Sequence, residues 1–372
     1  MLTFFVIAWM TLLKEFQNKL NKSAILYGPK DIRIEDTPMP ILNSDEVLIK
    51  STDVSICATE VKYWYYGIPN APKGTKIIQG HELGGIIEDI GSCQNFEKSM
   101  RVAVDPSIWC GICDMCINGI SNLCRNLQFM SLPPVDGGFQ QFYKVPSKNV
   151  HPIPSDIPPD CASMVEPVCV VLNAISDAKK ISGSFDDKVI AIVGAGSLGL
   201  ILTQALRLYG SPRMICVLEL LLYRLKMAER FGADVLINPN LDKSIEAIMD
   251  VTKGLGADIV FEVSGDFEAY QIASNISKPA GSIIIVGIPV DQDYIPIKSI
   301  IARRAGLALK FVRRFNPKDF PQAIELIASG KVNVIDLISH KFPIEEISQA
   351  FELLHQHLDN ALKVIIHPHQ ES

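Results

Sequence analysis

The sequence has no concentrated block of positive charge. Its 35 lysines and arginines are outnumbered by 41 aspartates and glutamates, which gives a formal net charge of −6. Because nucleic-acid binding needs a basic face that neutralises phosphates, we expect no nucleic-acid partner. The chain also lacks internal repeats and low-complexity segments, so neither a repeat array nor a disordered protein is expected.

Long apolar runs are lacking too. The longest at the N-terminus, residues 1–13, falls short of the roughly 20 residues that span a bilayer. It has no basic segment before it and no small-residue cleavage site after it. We expect residues 1–22 to form an apolar N-terminal extension and no membrane span to occur. A non-native leader from an upstream start codon is the favoured origin; a membrane-surface anchor and a helix buried in an oligomer contact are the alternatives.

Nine cysteines are present, and four of them lie in one short stretch with the spacing C-x2-C-x2-C-x7-C, at Cys110, Cys113, Cys116 and Cys124. In a chain of this size such spacing indicates metal coordination in a reducing compartment rather than disulfides, and it favours a cytoplasmic location. Four thiolates leave no open position, so we expect a structural Zn²⁺. An iron–sulfur cluster is the alternative, but its common bacterial spacing ends in Cys-Pro, and here Arg125 follows.

The 372 residues favour two domains. Residues 23–168 are rich in short strands and turns, and we predict a mostly-β catalytic domain that carries the cysteine lobe. Residues 169–308 alternate apolar strands with helices, which predicts an α/β fold with a doubly wound parallel sheet covered on both faces. Residues 309–372 are expected to return to the first domain, so the second domain is an insertion.

A glycine motif opens the predicted α/β domain. Gly194, Gly196 and Gly199 form G-x-G-x-x-G between an apolar strand and a helix, the context in which this motif binds a dinucleotide pyrophosphate. We expect Ser197 and Leu198 to contribute to the same phosphate-binding turn.

The next strand ends at Glu219, about twenty residues past the last glycine. A carboxylate there binds the adenosine ribose hydroxyls and repels a 2′-phosphate, so we expect NAD rather than NADP. Arg224 lies close enough in sequence to weaken that preference.

A catalytic zinc needs three protein ligands and one open position. The candidate ligands are Cys57, the adjacent pair His81 and Glu82, and Glu166. Each has an ordinary structural interpretation when taken alone. Their joint order around a four-cysteine lobe and ahead of a dinucleotide motif favours a metal centre.

These residues together resemble the zinc-containing medium-chain dehydrogenase/reductase family, from about Ser23 to His367. Within it the chain is most similar to the sorbitol (L-iditol) dehydrogenase branch, whose Cys, hydroxyl residue and Tyr-Trp pair are matched by Cys57, Thr59, Tyr63 and Trp64. Gly80-His81-Glu82 and Glu166-Pro167 match the branch's ligand elements.

The resemblance implies a Rossmann domain inserted into a discontinuous GroES-like catalytic domain, one catalytic and one structural Zn²⁺, NAD, and a homodimer or homotetramer. It implies a catalytic zinc held by Cys57, His81 and a glutamate, with Glu82 and Glu166 both open as the direct ligand. It places Gly287 beside the nicotinamide, counts Val263 among the cofactor-binding residues, and places Tyr63, Arg313 and Arg314 on the substrate side.

The chain departs from the family pattern at three other positions. Lys62 replaces a histidine that passes the proton to solvent, Glu60 replaces an aspartate, and Asn173 replaces a histidine.

The expected reaction is oxidation of a secondary alcohol, with a polyol or sugar alcohol as the first substrate class. Zinc would stabilise the alkoxide, the nicotinamide would accept hydride, and Thr59 and then Lys62 or water would take the proton. Threonine, a vicinal diol, a sugar or an amino-cyclitol are alternative substrates. A retired binding or structural protein on the same scaffold is the non-enzymatic alternative.

Overall fold

The computed structural model describes residues 20–69, 71–72, 74–289 and 294–369; all but the last three residues of the predicted N-terminal extension lie outside these ranges. The described strands are β1 (Leu20–Gly28), β2 (Asp31–Pro38), β3 (Glu46–Ser55), β4 (Ile77–Ile78), β5 (Glu82–Asp89), β6 (Arg101–Val104), β7 (Ser107–Ile108), β8 (Gln128–Phe129), β9 (Phe142–Pro146), β10 (Val150–Pro152), β11 (Val189–Val193), β12 (Met214–Leu218), β13 (Val235–Ile237), β14 (Ala257–Glu262), β15 (Ser277–Ile285), β16 (Ala308–Phe311), β17 (Ile338–Pro343) and β18 (Lys363–His367).

The described α-helices are α1 (Ala58–Tyr66), α2 (Asp114–Ile117), α3 (Val165–Ser182), α4 (Ser197–Leu208), α5 (Leu222–Arg230), α6 (Ser244–Val251), α7 (Phe267–Ile276), α8 (Ser299–Ala305), α9 (Asp319–Ala328) and α10 (Ile347–His355). Short 3₁₀ turns occupy Ser121–Leu123, Ser147–Asn149, Ile335–Leu337, Ile344–Glu346 and Leu358–Asn360. Within the described ranges, no helix combines the length and the apolar composition needed to cross a bilayer.

The chain forms two compact units. The residues up to Glu166 join those from Ile338 onward in the first unit, and Pro167–Leu337 form the second. The predicted insertion of one domain into another is therefore present, but the chain returns to the first unit at Ile338 rather than at residue 309. The reason is β16, which pairs in parallel with β15 and so extends the sheet of the second unit past the predicted boundary.

The second unit contains the predicted doubly wound parallel sheet. Its strand order is β13-β12-β11-β14-β15-β16, and every neighbouring pair is parallel. Numbered within the unit this is 3-2-1-4-5-6, the order of Rossmann dinucleotide-binding domains. All five residues of the central strand β11 are buried, as expected for a strand covered on both faces.

The first unit is mostly β. Its main sheet runs β10-β6-β5-β3-β18-β17, with β9 also paired to β3, and a smaller sheet runs β2-β1-β4. Strand β18 comes from the C-terminal segment and pairs antiparallel with β3, which places Ile365 opposite Ser55. This pairing brings the C-terminal segment next to the turn that follows Ser55, where the first candidate metal ligand lies.

Candidate active site

Three predicted ligands meet in the first unit. The ligand atoms of Cys57, His81 and Glu82 all lie within 4.8 Å of one another. Cys57 is the N-cap of α1, just past the end of β3; His81 directly precedes β5, and Glu82 is the first residue of that strand. Strands β3 and β5 are hydrogen-bonded neighbours, and Ser55 is paired with Glu82. The sheet itself therefore brings the two ligand segments together.

The histidine is oriented by a buried carboxylate. Glu60 is fully buried, and its Oε1 lies 2.8 Å from Nδ1 of His81. The same carboxylate accepts hydrogen bonds from the backbone N–H groups of Cys57, Gly80 and His81 and from the hydroxyl of Ser131. With Nδ1 hydrogen-bonded to the carboxylate, Nε2 is the ring nitrogen left to bind a metal once it loses its proton, which is the usual arrangement of a carboxylate behind a histidine ligand.

The charges of this pair reinforce each other. Burial lowers the pKa of His81, but Glu60 and then Cys57 outweigh it, so the pKa lies well above its usual value. Burial raises the pKa of Glu60, but the charge of His81 and several hydrogen bonds bring it below the usual range. From the sequence, Glu60 was noted only as a replacement for an aspartate. In the structure its carboxylate connects the segment of Cys57 to the segment of His81.

Glu82 has a partner that the sequence analysis missed. Lys363, on β18, is 3% exposed and donates to both carboxylate oxygens of Glu82, at 2.8 and 2.6 Å. The hydroxyl of Ser55 donates to Oε2 of the same carboxylate. The available signal was a lysine inside an otherwise apolar closing strand, a position that a charge occupies only when it is paired.

Glu166 borders this group without joining it. Among the described residues, the converging set in this part of the first unit is Cys57, His81 and Glu82; Glu166 is outside that set, and the charges of His81 and Glu82 act on its pKa. Burial raises the pKa of Glu166 to about 8; His81 opposes this change and Glu82 adds to it. Burial therefore favours the protonated carboxyl of Glu166 when no metal is bound.

The other predicted residues of this unit lie on α1. Thr59 is in its first turn and is half-buried, and Lys62 and Tyr63 follow in the next turn, also half-buried. Trp64, by contrast, packs into the core, with its ring centroid 5.7 Å from that of Phe351.

The donor set of the three converging residues fits zinc. A thiol, an imidazole and a carboxylate are the ligand types of catalytic zinc sites, and three ligands leave one position open for a substrate oxygen. The ligand atoms of all three side chains lie within 4.8 Å of one another, so the side chains converge on a common space.

The cysteine lobe forms a second cluster. The four sulfur atoms lie within 4.8 Å of one another, and neighbouring sulfurs are 3.5 Å apart for Cys113–Cys116 and for Cys110–Cys124. Hydrogen bonds from the backbone N–H groups of Arg125 and Cys116 lower the pKa of Cys113 to about 6, which favours the thiolate. Four converging free thiols form a closed tetrahedral set, the arrangement of a structural zinc site.

Arg125, which distinguished this motif from a ferredoxin-type spacing, binds within the lobe. Its guanidinium donates to both oxygens of Asp114, each at 2.6 Å. The contact links the residue after Cys124 to the first turn of α2.

The glycine motif lies between β11 and α4. Gly194 has a φ of +105°, a backbone conformation that would be strained for a residue with a side chain. A Cβ on Gly199 would lie 2.1 Å from the carbonyl oxygen of Gly194. A Cβ on Gly196 would meet nothing within 4 Å, so its backbone faces open space at the N-terminus of α4, where Ser197 and Leu198 begin the helix. This is the arrangement that lets a pyrophosphate approach a helix N-terminus.

Glu219 is held at the carboxyl end of β12. Its oxygens accept hydrogen bonds from the N–H groups of Ala195, at 2.8 Å, and Leu221, at 3.0 Å. Arg224 lies 3.9 Å from the same carboxylate. The glycine turn and the acidic residue are therefore directly connected, and a cation lies beside them.

Val263 and Gly287 follow the ends of β14 and β15. The N–H of Val263 donates to the carbonyl of Val193, at 3.0 Å. A Cβ on Gly287 would lie 2.2 Å from the backbone nitrogen of Gly265, so this loop crossing requires a glycine.

Arg313 and Arg314 lie in the second unit, after β16. Their carbonyl oxygens accept hydrogen bonds from the side-chain amide of Asn173, at 3.4 and 2.9 Å. Asn173, noted in the sequence as a replacement for histidine, thus holds the backbone of the arginine loop, and Arg314 adopts a φ of +49° there.

The comparisons with known proteins agree with this geometry. Residues 43–155 match the alcohol dehydrogenase GroES-like domain, and residues 197–329 match the zinc-binding dehydrogenase family. Sorbitol dehydrogenase of Bacillus subtilis is 34% identical over 351 residues, which cover 94% of this chain and 98% of the relative. D-xylulose reductase A of Aspergillus oryzae is 29% identical, with 89% and 92% covered.

A similar solved structure is a zinc-binding dehydrogenase from Sinorhizobium meliloti bound to NADP. It is 26% identical, covers 94% of this chain and all of its own, and superposes with a TM-score of 0.84.

The chain therefore belongs to the zinc-containing medium-chain dehydrogenase/reductase family. It is an oxidoreductase with zinc and a nicotinamide cofactor, similar to polyol-type alcohol dehydrogenases.

Proposed function

We propose that the protein oxidises a secondary hydroxyl of a polyol or sugar alcohol, with NAD as the hydride acceptor. The observation that carries the proposal is the convergence of Cys57, His81 and Glu82, with His81 oriented by Glu60, in a chain whose other unit has the dinucleotide-binding strand order. The names of the relatives, sorbitol dehydrogenase and D-xylulose reductase, support a polyol–ketose pair as the substrate class.

A bound zinc would supply Lewis-acid polarisation of the substrate oxygen. Cys57, His81 and either Glu82 or Glu166 would hold this metal. The hydroxyl of Thr59, in the first turn of α1, accepts the proton that the alcohol loses. Lys62, three residues further along the same helix, or water passes the proton to solvent.

NAD is the proposed cofactor because Glu219 is a fixed carboxylate. Two backbone N–H groups hold it beside the glycine turn, so it can accept hydrogen bonds from ribose hydroxyls and would repel a 2′-phosphate. Arg224, 3.9 Å away, offsets part of that repulsion. The remaining parts of the proposal are substrate contacts by Tyr63, Arg313 and Arg314, a homodimer or homotetramer, and a reducing cytoplasmic location that keeps the cysteine lobe in its thiol form.

The test is cofactor reduction over a panel of polyols, sugars, vicinal diols, amino-cyclitols and threonine, with NAD and NADP supplied separately. The proposal expects NAD reduction with a polyol, its loss on chelation and its recovery with zinc. A preference for threonine or a diol would change the proposed substrate class but leave the proposed reaction, zinc-dependent oxidation of an alcohol, in place. Correctly folded protein that binds NAD yet reduces it with none of these alcohols would instead support a retired binding scaffold.

Cys57→Ala provides the matched comparison, since it removes a proposed ligand and should abolish turnover while leaving NAD binding intact. Cys93→Ser is the control, because Cys93 lies in the same unit but outside both metal-binding clusters. Its variant should keep full activity.

A further inference from the structure

A buried lysine binds the only carboxylate in the converging ligand set. Within the described chain, Cys57, His81 and Glu82 form that set, and Lys363 contacts Glu82 through both of its oxygens. The side chains of Lys363 and Glu82 are only 4% and 3% exposed, so water does not screen the pair. A cation thus already occupies part of the coordinating capacity that a metal would use.

Lys363 is fixed in place rather than loosely paired. Its ammonium group has three protons, and it has three acceptors: the two oxygens of Glu82 and, at 3.4 Å, the carbonyl oxygen of Ile56. The N–H of Ile56 in turn donates to the carbonyl of Val364, at 2.9 Å. Strand β18 therefore holds the lysine against the turn that carries Cys57.

The contacts also determine how Glu82 can reach a metal. Each carboxylate oxygen offers two lone pairs. Oε2 accepts from both Lys363 and Ser55, which fills its capacity, whereas among the described residues Oε1 accepts from Lys363 alone. One lone pair on Oε1 is left, enough for a single bond.

We propose that Lys363 is a positioning residue of the catalytic metal site: it limits Glu82 to one bond through Oε1 and competes with the metal for the charge of that carboxylate. This inference rests on the proposed function, because it assumes a metal at Cys57. The lysine leaves the bound metal with more of its positive charge than an unpaired Glu82 would.

The proposal makes a prediction that a merely structural lysine would not. Removing a competing cation from a buried carboxylate should tighten metal binding at the Cys57 site, by about tenfold or more given the strength of charge pairs in partly buried sites. Loss of a structural contact would instead weaken binding. Turnover should fall at the same time, because Glu82 without its lysine cancels more of the positive charge with which the metal polarises the substrate oxygen.

The experiment is a chelator competition that measures zinc retained at the Cys57 site in the full-length protein, with zinc in the cysteine lobe as the internal reference. Lys363→Met should retain zinc at higher chelator concentration, and Lys363→Arg should behave like the native chain. Lys363→Gln still donates a hydrogen bond to Glu82 without the charge, and it serves if the methionine variant does not fold without metal. In a Glu82→Gln background, Lys363→Met should change zinc affinity less than about twofold.

Weaker or unchanged zinc binding in folded Lys363→Met or Lys363→Gln would overturn the proposal, as would an equal effect in the Glu82→Gln background. These outcomes are distinct from failure of the proposed function, which would appear in the native chain as no zinc at the Cys57 site. The native measurement therefore comes first.

Discussion

Replacing Glu60 with glutamine tests the link between the buried carboxylate and the histidine ligand. Oε1 of Glu60 lies 2.8 Å from Nδ1 of His81 and also accepts from Gly80 at 2.7 Å and Ser131 at 3.0 Å, while Oε2 accepts from Cys57 at 3.1 Å. An amide has one acceptor oxygen and one donor nitrogen, so at least one of these N–H groups would face another donor.

The magnitude follows from the charge that is lost. A hydrogen bond to a charged group contributes about 1.5–3 kcal/mol. At about 1.4 kcal/mol per factor of ten, the loss corresponds to a fall of roughly 10–100-fold in zinc affinity at the Cys57 site. That range agrees with the effect of removing a carboxylate behind a metal-binding histidine, about 10–100-fold.

The assay is dialysis of Glu60→Gln against a chelator series, followed by zinc content and thermal unfolding. Zinc in the cysteine lobe should be retained, and Glu97→Gln, which removes an exposed carboxylate of the same unit, should match the native chain. An affinity within twofold of native in a folded Glu60→Gln protein would refute the reasoning. Equal loss of both zincs would show general unfolding instead.

Three further predictions concern the cofactor and stability. Gly199→Ala should lower the free energy of unfolding by about 1–3 kcal/mol, since its Cβ would lie 2.1 Å from a carbonyl oxygen. Gly196→Ala should leave the free energy of unfolding unchanged and weaken NAD binding measured by calorimetry. Glu219→Ser should raise kcat/KM for NADP relative to NAD by about tenfold, because Arg224 then faces a 2′-phosphate without a competing carboxylate; an unchanged ratio would contradict this. Burial lowers the pKa of His151 to about 4, so protonation favours the unfolded chain and stability is lost as pH falls from 6.5 towards 4. Between pH 7 and pH 5 the free energy of unfolding, measured in urea, should therefore fall by up to about 2 kcal/mol less in His151→Gln than in the native chain. An equal fall in both proteins would contradict this prediction.

Most elements of the second unit were predictable because their strands are largely apolar and alternate with helices. The glycine motif located the first strand and helix, and the next strand ends one residue before the predicted Glu219. The domain boundary was not predictable, since β16 is half-exposed and its sequence does not resemble a buried strand. Only its pairing with β15 shows that it belongs to the inserted unit.

In the candidate site, the ligand types were readable from the sequence but their connections were not. Cys57 and His81 lie in recognisable motifs, yet the carboxylate that orients His81 comes from α1 and the cation on Glu82 comes from β18, about 280 residues away in the chain. Such contacts depend on strand register across the sheet. The lysine inside an apolar strand indicates that its charge is paired, but no local pattern identifies Glu82 as the partner.

Zinc content per chain, measured for the native protein and for Cys57→Ala, tests the central claim most directly. The account predicts two zinc ions in the native chain, one in the variant, and alcohol-dependent NAD reduction in the native chain alone. A native chain that holds zinc only in its cysteine lobe and reduces no cofactor with any alcohol would contradict it.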